Sequence, residues 1–167
     1  PGPGYGGSCF PKDTLALVKT AQDYEIPIRI VEAVVDINDR RKKEMAGRVV
    51  DACGGSVEGK SIAVLGLTFK PNTDDMRESP SLDIVPALQE RGATVRAFDP
   101  EGMEEAKKMM EGVAWCMDAY EAINGSDAVV IVTEWNEFRS LDFEKMKKIM
   151  NLTSILIVKM SLEVQAG

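Results

Sequence analysis

The sequence predicts an α/β protein, a doubly wound parallel sheet preceded by an α-helical segment that contains one long helix. Three observations carry this. From residue 59 onward, short apolar runs ending in turns alternate with amphipathic stretches, as parallel strands alternate with crossover helices. Ahead of them, residues 27–53 repeat apolar side chains at spacings of three and four. The chain opens in "PGPGYGG", a loop that fits neither pattern.

Taken in order, residues 1–12 read as a loop. Asp13 stands where a helix N-cap belongs, and "TLALVKTAQDYE" follows with Leu15, Val18 and Ala21 as its apolar positions. Pro27 suits the first turn of a second helix. That helix carries Ile30, Val34 and Ile37, then a polar turn, then Met45, Val49 and Ala52. Residues 27–53 as helix span roughly 40 Å at 1.5 Å per residue, and Gly54-Gly55 ends them. A helix of that length braces two domains or packs against a partner subunit. The basic run Arg40-Arg41-Lys42-Lys43 reads as its solvated face.

"SIAVLG" then reads as a buried strand and "SLDIVPALQERG" as an amphipathic helix stopped by Gly92. "TVRAFDP" is a strand, "EGMEEAKKMMEG" a polar helix, "VAWC" a short strand and "DAYEAING" a helix. "DAVVIVTEW" is the most apolar strand, followed by the helix "LDFEKMKKIMN" and the strand "SILIVK". The division is a helical piece over residues 1–57 and a doubly wound domain over residues 58–167.

Composition narrows the chemistry. A net charge of −7 speaks against nucleic acid as partner, and no apolar stretch approaches the roughly 20 residues that span a bilayer. Three widely spaced cysteines give no disulfide framework and no metal-ligand pair, and suit a reducing cytoplasm. No metal site is expected. The absence of histidine removes the commonest general base, so proton transfer falls to Asp, Glu, Lys, Tyr or water.

In sheets of this kind ligands lie beyond the carboxyl ends of the strands. The first such end, "VLGLTFKPNTDDMRESPS", is not a G-x-G-x-x-G turn. It offers Lys70 and Arg77 on a long loop that feeds a helix starting near Ser79-Pro80. Two cations and a helix N-terminus can hold phosphate. On composition, ordinary ion pairs with Asp74, Asp75 and Glu78 explain the same residues equally well.

Cys53 and Cys116 read as small buried hydrophobes. Cys9 stands apart. Gly6 and Gly7 let backbone approach a ligand closely, Lys12 adds a cation, and the partial positive charge of a helix start favours thiolate. Without histidine a papain-like mechanism is excluded. A cysteine that attacks an aldehyde needs no such base, and hydride loss then makes a thioester that water cleaves.

"GPGYGGSCFPKDTLAL" resembles the active-site signature of the UDP-glucose/GDP-mannose dehydrogenase family. "VVDINDRRKKEMAGRVV" resembles that family's long central helix, and "KSIAVLGLTFKPNTDDMRESPSLDIVPAL" the opening of its nucleotide-sugar-binding domain. "VIVTEWNEFRSLDFEKMK" resembles a later segment of that domain. The resemblance runs from residue 2 to about residue 158 and implies a Rossmann-like domain preceded by a dimerisation segment. It also implies oxidation of the C6 alcohol of a nucleotide sugar, UDP-glucose above all, to a carboxylate with two NAD. It assigns Cys9 as nucleophile and Asp13 to the catalytic water. Tyr5, Gly6, Gly7 and Ser8 fall in the loop around the sugar, Phe69 and Lys70 at the substrate nucleotide, and Lys12 and Arg77 near the cofactor. The family's NAD-binding part would precede this chain, which is expected to be a piece of a longer protein and inactive alone. After "SILIV" the family tends to show Asp-Gly-Arg, where this chain reads "KMSLEVQAG". The alternatives are a GDP-mannose or UDP-N-acetylhexosamine substrate, or a non-catalytic module that dimerises and binds a nucleotide sugar.

Overall fold

The computed structural model describes residues 2–151 and the strand 154–157. The tail after residue 157, with its departure from the family pattern, lies outside the described residues. Helices α1 (Phe10–Asp23) and α2 (Arg29–Ala52) come first. Then follow β1 (Ser61–Leu65), α3 (Ser81–Gln89), β2 (Thr94–Phe98), α4 (Met103–Met109), β3 (Val113–Trp115), α5 (Ala119–Ile123) and β4 (Ala128–Ile131). A 3₁₀ turn (Asn136–Ser140), α6 (Phe143–Ile149) and β5 (Ser154–Ile157) complete the order. Each strand and helix expected after residue 59 is present; the 3₁₀ turn was not foreseen.

The five strands pair in parallel in the order β3-β2-β1-β4-β5. The chain winds outward from β1 and returns to β4 on its other side, so a switch point lies between β1 and β4. Both faces are covered, which is why the strands read as unbroken apolar runs. Ile62, Val64, Val95 and Val130 pack with α2, α3 and α4 in one core, where Met45, Ala46 and Val49 represent α2. Ala63, Leu65, Val129 and Ile131 face the other way, onto α5, α6 and the buried ring of Phe138.

Three sequence readings are corrected here. Helix α1 starts at Phe10, with Cys9 at the N-cap and Pro11 in the first turn, so Asp13 lies inside the helix. Pro at that position is preorganised for helix and loses no needed donor, which draws the start forward. Helix α2 starts at Arg29, two residues past Pro27, and ends as expected with Gly54 and Gly55 at positive φ. The basic run is not a solvated face throughout. Lys42 is 4% exposed and Arg41 half-buried, while Arg40 pairs with Asp36 in solvent.

Candidate active site

The loop before α1 makes no regular structure, and its polar groups are satisfied from elsewhere. The Tyr5 N–H donates to Asn38 Oδ1 at 2.7 Å, and Asn38 Nδ2 donates back to the Tyr5 carbonyl at 3.3 Å. Arg41 Nε donates to the Gly2 carbonyl at 2.5 Å. The Gly7 N–H donates to the Arg77 carbonyl at 2.8 Å. Glycine is required here by contact. A Cβ on Gly6 would stand 2.2 Å from the Glu78 carbonyl oxygen. One on Gly7, at φ +89°, would stand 2.8 Å from the Phe69 ring.

These contacts bring residues about 60 positions apart onto one cleft. Gly6, Gly7, Ser8, Cys9, Phe69, Lys70 and Asp75 line a space of about 420 Å³. Cys9 is exposed at the N-cap, with Ser8 Oγ 3.7 Å from its Sγ. The Asp13 N–H donates to the Cys9 carbonyl at 2.8 Å, so the two side chains leave the same side of the helix one turn apart. Asp13 is exposed and 3.5 Å from Lys12 Nζ, a solvated pair of little energetic weight. Tyr5 packs edge-on against Phe10 at 4.7 Å between ring centres. Lys70 Nζ lies 5.3 Å from the centre of the Phe69 ring.

Arg77 is exposed and committed. Its Nε and Nη2 donate to the two oxygens of Asp75 at 2.9 and 2.7 Å, a bidentate pair. That hydrogen bond is the chief reason the Asp75 carboxyl lies below the usual carboxylate range, and Asp75 holds the guanidinium above its own. Of the two sequence readings of Arg77, the structure shows the ion pair with Asp75, on the turn whose backbone receives Gly7. Cys53 is half-buried and Cys116 buried, and burial pushes both thiols up, as suits structural cysteines.

Sequence reasoning missed Asp99. This fully buried carboxylate follows β2 and accepts from the N–H groups of Leu67, Thr68, Glu101 and Gly102 and from Trp135 Nε1. Only "FDP" at a strand end hinted at it. The donors at the end of β1 that would cradle a pyrophosphate in a dinucleotide fold are thus taken by the protein's own anion. The described residues form no dinucleotide cradle. Lys12 and Arg77 are exposed cations among the described residues. Among them no cluster of three or more metal-ligating side chains occurs, and no helix is long and apolar enough to cross a membrane.

Residues 1–40 match the central domain of the UDP-glucose/GDP-mannose dehydrogenase family, and residues 63–161 match its UDP binding domain. A UDP-glucose 6-dehydrogenase of Rhizobium meliloti is 60% identical over 93% of this chain and 36% of its own length. Among solved structures, a UDP-glucose dehydrogenase from Pyrobaculum islandicum aligns with a TM-score of 0.79 at 32% identity, over 93% of this chain and 38% of that one. A UDP-D-ManNAc dehydrogenase from Pyrococcus horikoshii aligns equally well, at 0.79 and 30% identity, over 99% of this chain and 38% of that one. The chain spans about a third of the length of the curated relatives it matches.

Proposed function

Because the chain belongs to the UDP-glucose/GDP-mannose dehydrogenase family, we propose that it supplies the nucleophile and the nucleotide-sugar site of an NAD-dependent UDP-glucose 6-dehydrogenase. The observation that carries this reading is Cys9, exposed at a helix N-cap in a glycine loop and sharing a cleft with Phe69 and Lys70. Residues 1–57 form the active-site loop and helical dimerisation segment, and residues 58–167 the nucleotide-sugar domain. The 60% identity to a named UDP-glucose 6-dehydrogenase favours glucose as the sugar. The equal structural likeness to a UDP-D-ManNAc dehydrogenase keeps an N-acetylated sugar as the second reading.

The chain's residues handle the carbon–sulfur chemistry. A bound nicotinamide cofactor would supply the hydride acceptor for each of the two oxidations. Sγ of Cys9 adds to the C6 aldehyde left by the first, the carbonyl oxygen takes a proton, and a thiohemiacetal forms. Hydride loss from that carbon leaves a thioester on Cys9. Water attacks the thioester, the C–S bond breaks, and carboxylate and free thiol result. In this reading Asp13, one turn along the same side of α1, takes the water's proton. Lys70 and Phe69 hold the nucleotide diphosphate and base side, Tyr5, Gly6, Gly7 and Ser8 enclose the sugar, and Lys12 and Arg77 meet the cofactor.

A homodimer fits the exposed apolar side chains on the first half of α2. Ile30 is 81% exposed, and Val34 and Ile37 follow it. A cytoplasmic site of action fits the reduced cysteines. The test is NADH formed per UDP-glucose consumed, in a polypeptide that includes the family's NAD-binding part. Two supports the reading. One means the reaction stops at the aldehyde and leaves Cys9 without a role, and none with UDP-glucose but turnover of another nucleotide sugar moves the substrate.

A further inference from the structure

Besides Asp99, the proposed chemistry leaves a second buried charge unused among the described residues. Lys42 lies mid-way along α2 with its side chain 5% exposed. Its stem packs under the active-site loop, where a Cβ on Gly4 would meet Lys42 Cγ at 2.8 Å. Its ammonium donates to Glu78 Oε2 at 3.3 Å and stands 4.0 Å from Asp83 Oδ2. A buried ammonium is costly, and a well-packed apolar side chain in its place is often neutral or better for stability. Core filling therefore does not account for it.

What Lys42 grips is the turn that seats the thiol loop. Glu78 has φ +53°, an uncommon conformation for a residue with a Cβ. Its carbonyl backs Gly6, and the carbonyl before it, of Arg77, accepts the Gly7 N–H. One helical turn earlier on the same face of α2, Asn38 holds both polar groups of the Tyr5 backbone. Lys42 and Asn38 thus fix the loop at two points, from opposite sides of Gly6.

We propose that Lys42 and Asn38 are positioning residues for Cys9, one holding the Arg77–Glu78 turn that receives Gly7 and the other holding Tyr5 directly. The inference rests on the dehydrogenase reading for its catalytic consequence, but the placement of the loop can be measured separately. Lys42→Met keeps the length of the stem and removes the ammonium, and Asn38→Leu removes both amide bonds.

Amide hydrogen exchange reads the loop, and steady-state turnover reads the chemistry. In Lys42→Met the Gly7 N–H exchanges about tenfold faster or more, while the amides of β1 keep their protection. In Asn38→Leu the Tyr5 N–H responds likewise. Turnover in the NAD-competent polypeptide falls about tenfold in kcat, with KM moving less than about threefold, and Lys42→Arg restores most of it. Unchanged exchange at Gly7 and Tyr5 overturns the proposal. So does acceleration spread equally over the sheet, since the two residues would then be ordinary parts of the core. If Cys9→Ala leaves NADH formation intact, the dehydrogenase reading fails, and exchange at Gly7 and Tyr5 still decides whether these residues place the loop.

Discussion

Replacing Asp99 by Asn tests whether the buried carboxylate organises the loop that carries Phe69 and Lys70. Oδ2 accepts from Leu67 N–H at 2.6 Å, Thr68 N–H at 3.1 Å, Thr68 Oγ1 at 3.2 Å and Trp135 Nε1 at 3.1 Å. Oδ1 accepts from Glu101 N–H at 3.0 Å and Gly102 N–H at 2.7 Å. Asparagine has one acceptor oxygen, and its NH₂ must face donors on whichever side it lies. The lesser conflict puts the oxygen toward Leu67, Thr68 and Trp135 and the NH₂ toward Gly102 and Glu101. Two donors are then orphaned, one of them buried and one partly reached by water. At about 1–3 kcal/mol for a buried unsatisfied group, the expected loss is about 2–5 kcal/mol. Urea unfolding of the two proteins, followed by far-UV circular dichroism with equal m-values, measures it. A loss below about 1 kcal/mol would refute the assignment of Asp99 as the anion that closes the end of β1.

Gly6→Ala forces a Cβ within 2.2 Å of a backbone oxygen, so the loop must leave the Arg77–Glu78 turn; activity falls at least about tenfold while the unfolding midpoint of the sheet moves little. Iodoacetamide at pH 7 labels Cys9 ahead of Cys53 and Cys116, whose thiols burial keeps protonated, and peptide mapping that finds Cys53 labelled first contradicts this. For the Arg77–Asp75 pair the sign follows from a depressed carboxyl: its contribution is full above the unfolded carboxylate range, about pH 4, and is lost as pH falls through the lower folded value. Asp75→Asn is accordingly less stable than the unchanged protein at pH 6, and the gap narrows as pH falls below the unfolded carboxylate range. Ile30→Asp with Ile37→Asp shifts sedimentation toward monomer if α2 pairs two copies, and an unchanged dimer would place the interface elsewhere.

Much of this protein is legible in one dimension. Alternation of apolar runs with amphipathic stretches is a local signal, because the central strands β1 and β4 are buried on both faces while the helices beside them bury one. Ile62 through Leu65 advertise their burial whatever packs on them, and Gly92 and Gly54-Gly55 end helices for reasons confined to their own backbone. Cys9 could be singled out for the same reason: its glycines, its proline-led helix and the missing histidines are all neighbours in sequence or in composition. The error at Asp13 was also local, since Asp is a better cap than Cys by propensity and only Pro11 argued for the earlier start.

Tertiary structure decided the rest. Lys42 and Asn38 look like a solvated polar turn because nothing near them in sequence reveals that the chain's first residues lie on them. The Gly6 contact with Glu78 and the Gly7 bond to Arg77 join segments about 70 residues apart. Asp99 is an unremarked residue after a strand until six donors from three separate segments converge on it. Sequence by itself determined which backbone most segments adopt and which thiol stands in a glycine loop at a helix start. Which polar groups face one another in the dry interior was left to the fold, because a buried charge is tolerable only where distant segments bring its partners, and that pairing has no period to read.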